Sequence, residues 1–483
     1  MSKVLLVNPN KWGRGIAHIW IASHSSILKK NNHNVELFDC TFYKDWISHG
    51  DDFEKEHKKT NYDTLIKFKE DIFGELQKKI DKFNPDIIFI SAISSHIHGE
   101  GEYVNIQNGY DLIKKINKGK NCHLIAGGLQ ATSAPKIVLE NMPDINYLVK
   151  GESELVLLEI ANKIDKKISF YDTLGLAYFD EKKFVDNKRQ EIIEDLDILS
   201  PYDYSIFEPQ TFLKKYKGKV YKGIDYELSR GCIYSCSYCV ETIIQKYYEF
   251  NDSSNTTGAI KNFKKYSRTK SAKMAFLEIS NLNKNFGISL FRCQDTNFLT
   301  ISRPVLEELA ELISQSNLDI KLYIETRPEG INIQSIKILK KLKVDGVGMG
   351  VEAASEDFRQ SNLNRFADQK KIIDAFKLLK ENGIKRTSYN IIGAPKQDEQ
   401  SIIDTIEFNR LLQPDTLSIH YYTPYYGTKS HKDGVREGMF DDYEFDADTY
   451  IRSKSKSHDL TPEKLKFYKG KFIELAKEIE RAS

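Results

Sequence analysis

The stretch Glu227-Leu228-Ser229-Arg230-Gly231-Cys232-Ile233-Tyr234-Ser235-Cys236-Ser237-Tyr238-Cys239 places three cysteines at spacings of four and three residues in one short loop. Three thiolates there suit three irons of a cubane iron–sulfur centre and leave the fourth iron without a protein ligand. An iron left open can take a small chelating molecule, as an open metal site takes its substrate. The alternative is a zinc knuckle short of its fourth ligand. Zinc motifs normally close with paired ligands, whereas here the next Cys is Cys293 and the next His is His420. A disulfide reading fails on an odd number of cysteines in a chain with no mark of secretion. The spacing favours the cluster.

At 483 residues the chain is too long for one ordinary core, so two or three domains are expected. Its 71 basic and 69 acidic residues nearly cancel, which argues for neither nucleic acid nor an anionic membrane as partner. The apolar run Val4–Val7 is short and ends at Asn8-Pro9, unlike a signal peptide. No apolar stretch approaches the ~20 residues needed to span a bilayer. Six cysteines, three of them in one loop, indicate a reducing compartment. The expectation is a soluble, cytoplasmic protein.

Within residues 1–191, apolar runs at Val4–Val7, Asn34–Phe38, Asp86–Ser91, Cys122–Ala126 and Ile145–Val149 alternate with helical patterns, the sign of a parallel α/β sheet. Ligands of such sheets bind beyond the carboxyl ends of the strands, where the Asn8–Gly13 loop, Ser91 and Gly127-Gly128 fall. Residues 192–222 read as a linker broken at Ser200-Pro201. Over residues 223–430, strand signals at Ile224–Leu228, Ile288–Arg292, Ile320–Ile324, Gly346–Val351, Thr387–Ile392 and Thr416–Tyr421 predict a partial (β/α)6 barrel of the TIM type. Residues 431–483 predict a small helical C-terminal region. The expected class is α/β: an N-terminal Rossmann-like parallel-sheet domain, the partial barrel, then the helical tail. His96 and His98 alternate in a Gly-rich loop and read as loop polarity or ligand contact, because no other metal-ligand type lies at zinc spacing.

With Tyr238 just before its last Cys, the cysteine loop resembles the Cys-x3-Cys-x2-Cys signature of the radical S-adenosylmethionine (SAM) superfamily. Ser229-Arg230-Gly231-Cys232 resembles the opening of the subgroup with an N-terminal cobalamin-binding domain, although Ile233 stands where Pro is common. Gly127-Gly128 and Gly151-Glu152 look like that domain's landmarks, and Ser91 stands where related domains touch the nucleotide tail of the corrin. The resemblance implies a [4Fe-4S] cluster on Cys232, Cys236 and Cys239, with SAM on the open iron. It implies SAM contacts at Tyr238, Asp295, Glu325, Arg327, Glu352 and Asn390, the Arg327 guanidinium being suited to a carboxylate. It also implies cobalamin contacts at Asn10, Ser91, Gly127, Gly128, Gly151 and Glu152. Asn10 replaces the His with which other cobalamin domains ligate cobalt from below. Cys293 shares strand parity with Asp295 and is the candidate catalytic hydrogen donor, since some relatives return a hydrogen atom from a Cys.

The implied activity is cobalamin-dependent C-methylation of an unactivated carbon in a small-molecule or peptide substrate. It would run through a 5′-deoxyadenosyl radical and methylcobalamin, with an external one-electron donor such as flavodoxin or ferredoxin. A dehydratase, epimerase or ring-rearranging enzyme is the alternative inside the family. A non-catalytic zinc or redox protein is the alternative outside it.

Overall fold

Val4, Leu5, Leu6 and Val7 are fully buried, as a strand covered on both faces of a parallel sheet requires. The computed structural model describes residues 1–47, 62–92, 102–251, 257–443 and 453–482. His96 and His98 lie outside these residues. The chain divides into two units, Met1–Tyr226 with Leu277–Leu290, and Glu227–Phe276 with Phe291–Ser483.

The first unit runs β1 (Lys3–Asn8), α1 (Ile19–Lys30), β2 (Asn34–Asp39), α2 (Ile72–Phe83), β3 (Ile87–Ile90), α3 (Glu102–Ile113), β4 (His123–Ala126), α4 (Leu129–Ser133), α5 (Pro135–Asn141), β5 (Tyr147–Val149) and α6 (Glu154–Asp165). A hairpin of β6 (Leu176–Asp180) and β7 (Lys183–Asp186) follows. The sheet order is β2-β1-β3-β4-β5-β6-β7, parallel through β5 and antiparallel beyond it. Register sets Val7 opposite Ile90 and Ile90 opposite Ala126, so the carboxyl ends of β1, β3 and β4 are level. Helix α2 buries Ile72, Leu76, Ile80 and Phe83, one stripe of an amphipathic helix. A second hairpin joins β8 (Leu213–Tyr216) to β9 (Lys219–Tyr226). Its turn residues Lys217 and Gly218 both have positive φ, the twist that two-residue hairpins favour.

The second unit begins with β10 (Ser229–Arg230), α7 (Glu241–Tyr247) and β11 (Arg268–Thr269). Helix α8 (Ala272–Phe286) belongs to the first unit from Leu277 onward. There follow β12 (Leu290–Cys293), α9 (Arg303–Ser314), β13 (Lys321–Thr326), α10 (Ile333–Lys341), β14 (Val344–Glu352), α11 (Glu356–Ser361), α12 (Gln369–Glu381), β15 (Lys385–Ile392), α13 (Glu399–Leu412), β16 (Thr416–Tyr421), α14 (Lys429–Arg436) and α15 (Pro462–Ala482). The strands follow the order β16-β15-β14-β13-β12, and β13 to β16 pair in parallel, the alternation of a partial barrel. The tail helix α15 packs Leu465, Tyr468, Phe472, Leu475 and Ile479 against Ile402, Ile406, Ile419 and Tyr421. The class is α/β as the sequence implied, a Rossmann-like sheet, a partial barrel and a helical tail. Among the described residues no helix is long and apolar enough to cross a membrane.

Candidate active site

The cysteine loop is held by side chains from distant parts of the second unit. At its start, β10 pairs antiparallel with β11, and Asp295 Oδ1 accepts from the Leu228 N–H (3.1 Å), the Ser229 N–H (2.6 Å) and the Ser229 hydroxyl (2.6 Å). Gly231 turns the chain at φ 88°, and a Cβ there would lie 2.4 Å from the Tyr266 carbonyl oxygen. Glu241, first residue of α7, accepts from the Cys232 N–H (3.0 Å) and the Tyr266 hydroxyl (2.6 Å). Gln245 donates to the Cys232 and Tyr234 carbonyls. On the other side, Asn364 donates to the Ser235 carbonyl and Ser237 donates to those of Leu363 and Asn362. The loop's backbone is therefore fixed independently of any metal.

All three cysteines are free thiols, Cys232 and Cys236 buried and Cys239 half-buried. Burial, with Glu241 and Cys236 beside it, pushes the Cys232 thiol up to about 12, and burial with Cys236 likewise raises Cys239. Thiols in this state stay protonated in water, and a metal that binds the sulfur displaces the proton to solvent. Arg327 Nη1 lies 3.8 Å from Cys236 Sγ, and its guanidinium sits 3.8 Å over the Tyr234 ring and pairs with Glu329. Among the described residues no three His, Cys, Asp or Glu side chains are gathered to hold a single ion. A cubane needs one thiolate on each of three irons, and three sulfur donors from one loop with a cation alongside fit that demand.

Beside the loop, β14 slips register between Gly350 and Glu352, and Glu352 is held at φ 65°. A non-glycine residue in that region is strained, and such strain gathers at functional sites. The Tyr238 hydroxyl donates to Glu352 Oε1 (2.9 Å), and Arg365 Nη1 lies 3.9 Å from the same oxygen. A Cβ on Gly350 would fall 2.2 Å from that oxygen. Arg365 is 4 % exposed and its Nε has no partner. Burial opposes its charge, but Tyr238, Glu352 and Cys236 hold it protonated. An open guanidinium nitrogen beside a carboxylate and the thiols suits an amino acid's carboxylate and amine, the groups SAM presents. Sequence reasoning missed Arg365 and Glu241, whose roles arise only from tertiary contacts. Neither residue carries a local sequence signal.

Across the sheet interior, the Tyr323 and Tyr389 hydroxyls lie 2.9 Å apart, and Tyr389 donates to Glu325 Oε1 (3.0 Å). A Cβ on Gly348 would strike both rings' substituents, 2.5 Å from Tyr389 Cε2 and 2.6 Å from the Tyr323 oxygen. Glu325 thus faces the interior. Asn390, one residue beyond Tyr389, turns the other way and exchanges hydrogen bonds with Asn409 of α13 and Ser388, so its amide organises the sheet's helical face. Cys293 is fully buried at the end of β12, where burial, with Asp295 close by, pushes its thiol up. The Asp295 carboxylate serves the β10 backbone with one oxygen and leaves Oδ2 open.

In the first unit, Asn10 spends its amide on Thr41 Oγ1 and the Arg14 carbonyl and its oxygen on the Trp12 N–H. It shapes the β1 loop rather than presenting a ligand. Ser91 stands at φ 59° with its hydroxyl buried and open. Gly127 donates to the Ser91 carbonyl (3.0 Å), and a Cβ on it would lie 2.9 Å from that oxygen. Gly128 (φ 98°) begins α4, whose Thr132 accepts from the Gly151 N–H (2.9 Å). Glu152 accepts from the Ile193 N–H. Open buried atoms at Asn8 Oδ1, Ser91 Oγ and both ends of the Gln130 amide line the same carboxyl edge. So polar a buried edge, flanked by glycines that admit close approach, fits the amide-rich cobalamin.

A profile described as the radical SAM superfamily matches residues 226–408. The chain is 26% identical over 360 residues to the uncharacterized methyltransferase PH0819 of Pyrococcus horikoshii, covering 74% of this chain and 71% of that one. It is 25% identical over 357 residues to the anaerobic magnesium-protoporphyrin IX monomethyl ester cyclase of Rubrivivax gelatinosus, covering 73% and 59%. Its fold matches the radical SAM methyltransferase TsrM of Kitasatospora setae, solved with cobalamin and a [4Fe-4S] cluster bound, at a TM-score of 0.65 and 18% identity over 90% of this chain and 75% of that one. Residues 226–408 are a radical SAM domain, and the chain as a whole has the fold of TsrM.

Proposed function

We propose that this enzyme is a cobalamin-dependent radical SAM C-methyltransferase acting on an unactivated carbon of a small molecule or peptide. The observation that carries the reading is the three-thiol loop with Glu352, Tyr238 and Arg365 beside it in one unit. The open polar edge of the other unit and the methyltransferase relatives support it. Cys232, Cys236 and Cys239 would hold the cluster, Arg365 and Glu352 the amino-acid end of SAM, and Ser91, Gly127 and Gly128 the corrinoid. The chemistry these groups supply when bound is reductive cleavage of SAM and carriage of a methyl group. The protein's own part is positional. Arg327 places a positive charge against the Cys236 sulfur, the Glu352 strain is held by the Tyr238 hydroxyl, and the half-buried Tyr323 and Tyr389 hydroxyls fix the position of Glu325. Six free cysteines suit a cytoplasmic, reducing setting, and the reduction requires an external donor such as a flavodoxin or ferredoxin.

Anaerobic turnover tests the reading. Methylation gives S-adenosylhomocysteine and 5′-deoxyadenosine in step, with a substrate gain of one methyl group. Deoxyadenosine without S-adenosylhomocysteine would reject methylation in favour of a ring-forming or rearranging reaction, the outcome the cyclase relative favours.

A further inference from the structure

Gln130 is fully buried in the first turn of α4, and neither its Oε1 nor its Nε2 has a hydrogen-bond partner. A buried carboxamide open at both ends is costly, because each unpaired group carries its full desolvation penalty. Two neighbours at the same edge repeat the pattern. Ser91 is 1% exposed with an open hydroxyl and sits at φ 59°, and Asn8 gives its amide to Asp39 (2.9 Å) while its Oδ1 stays open. Register sets Asn8, Ser91 and Gly127 side by side, and Gln130 follows three residues later. None of these three open side chains is charged; the one carboxyl beside them, Asp39, also keeps an open Oδ2, and burial pushes it up to about 6.

We propose that Gln130, with Ser91, is a specificity-determining contact for a neutral ligand group that both donates and accepts hydrogen bonds. A phosphate only accepts and would leave Gln130 Oε1 open; an ammonium only donates and would leave Nε2 open. A carboxamide or hydroxyl satisfies both atoms at once. This inference rests on the reading that the first unit binds a corrinoid, whose ring rim carries carboxamides and whose nucleotide tail carries ribose hydroxyls. The cost borne by the ligand-free protein is recovered when the ligand arrives.

That exchange gives the test two readouts that move in opposite directions. In Gln130→Met the side chain keeps its length and loses both polar atoms, and in Ser91→Gly the hydroxyl and the left-handed strain go together. The thermal midpoint of each ligand-free full-length variant is expected to equal or exceed that of the wild type. Affinity for hydroxocobalamin, titrated by absorbance, is expected to fall about tenfold or more. Titration with cobinamide, which lacks the nucleotide, distinguishes the two sources. A Gln130→Met penalty that persists assigns the contact to a ring carboxamide, and one that disappears assigns it to the tail. A folded Gln130→Met that binds cobalamin as tightly as the wild type overturns the proposal. Should that variant misfold, Ser91→Gly decides the matter independently, and unchanged affinity there overturns it equally. Failure of the corrinoid reading itself is distinct, since the wild type would then bind no cobalamin.

Discussion

At the scale of single residues, Arg365 carries the heaviest electrostatic duty in the second unit. Its guanidinium answers Glu352, Tyr238 and the Cys236 sulfur from a fully enclosed position. Arg365→Met is expected to weaken SAM binding roughly ten- to a hundredfold while the cluster absorbance persists, because a charged hydrogen bond contributes about 1.5–3 kcal/mol. Arg365→Lys should restore only part, since a point charge replaces a planar fork. SAM affinity by equilibrium dialysis decides it, and unchanged affinity in Arg365→Met rejects the assignment. Asp295 makes a different prediction. Burial pushes its carboxyl up to about 7 against the Ser229 hydrogen bonds that favour the anion. The folded chain therefore keeps a proton that the unfolded chain releases near 3.8. Stability from this group is full below that value and is lost as pH rises toward about 7, at no more than about 1.4 kcal/mol per pH unit. Asp295→Asn lacks the proton, so its thermal midpoint relative to the wild type should climb across that window; a constant difference would refute the shift. The cysteines were legible in the sequence because their spacing is local. Arg365, Glu241 and Gln130 were not, because their meaning lies in burial and in partners far along the chain.

At the scale of elements, the parallel strands were legible because double-faced burial writes them as unbroken apolar runs, Ile87–Ile90 and Leu124–Ala126 among them. The β6–β7 hairpin escaped because β7, at the sheet edge, is half-exposed to exposed throughout, and its turn places Glu181 rather than a glycine at positive φ. Asp295 lies beyond the end of β12, where alternation no longer holds, so parity alone does not set the face that Cys293 occupies. The β10–β11 clamp offers the sharpest test at this scale. Gly231 combines φ 88° with a backbone oxygen 2.4 Å from any added Cβ, and a carbonyl cannot swing aside as a side-chain tip can. Gly231→Ala is expected to cost about 1–3 kcal/mol from the left-handed backbone alone. Displacement of Tyr266 would also loosen Glu241 from the Cys232 N–H. Iron and sulfide content after anaerobic reconstitution should fall well below wild type, and full occupancy with an unchanged melting point would show that the clamp does not govern the loop.

At the scale of the whole molecule, the two candidate cofactor sites draw on different units. Asn8, Ser91, Gly127 and Gln130 belong to the first, and Cys232, Cys236, Cys239, Glu352 and Arg365 to the second. Changing all three cysteines to alanine should therefore remove the iron and leave cobalamin affinity within about twofold of wild type, as for sites without shared partners. Truncation should behave differently, because the first unit is not continuous in sequence. It recovers Leu277–Leu290 from beyond the cysteine loop, and there Glu278, 2% exposed, accepts from the Tyr226 hydroxyl (2.6 Å) and from the Tyr202 N–H (2.9 Å). A fragment ending at Tyr226 loses that acceptor from two donors and uncovers a fully buried tyrosine. Each lost hydrogen bond to a charged acceptor costs about 1.5–3 kcal/mol, a large share of a domain's net stability. The fragment 1–226 is expected to aggregate or to unfold well below the full chain's melting temperature and to bind no cobalamin, while the full-length triple-alanine chain still binds it. Should the fragment prove folded and bind cobalamin like the whole chain, the returning segment would be a passenger on the first unit rather than part of its core.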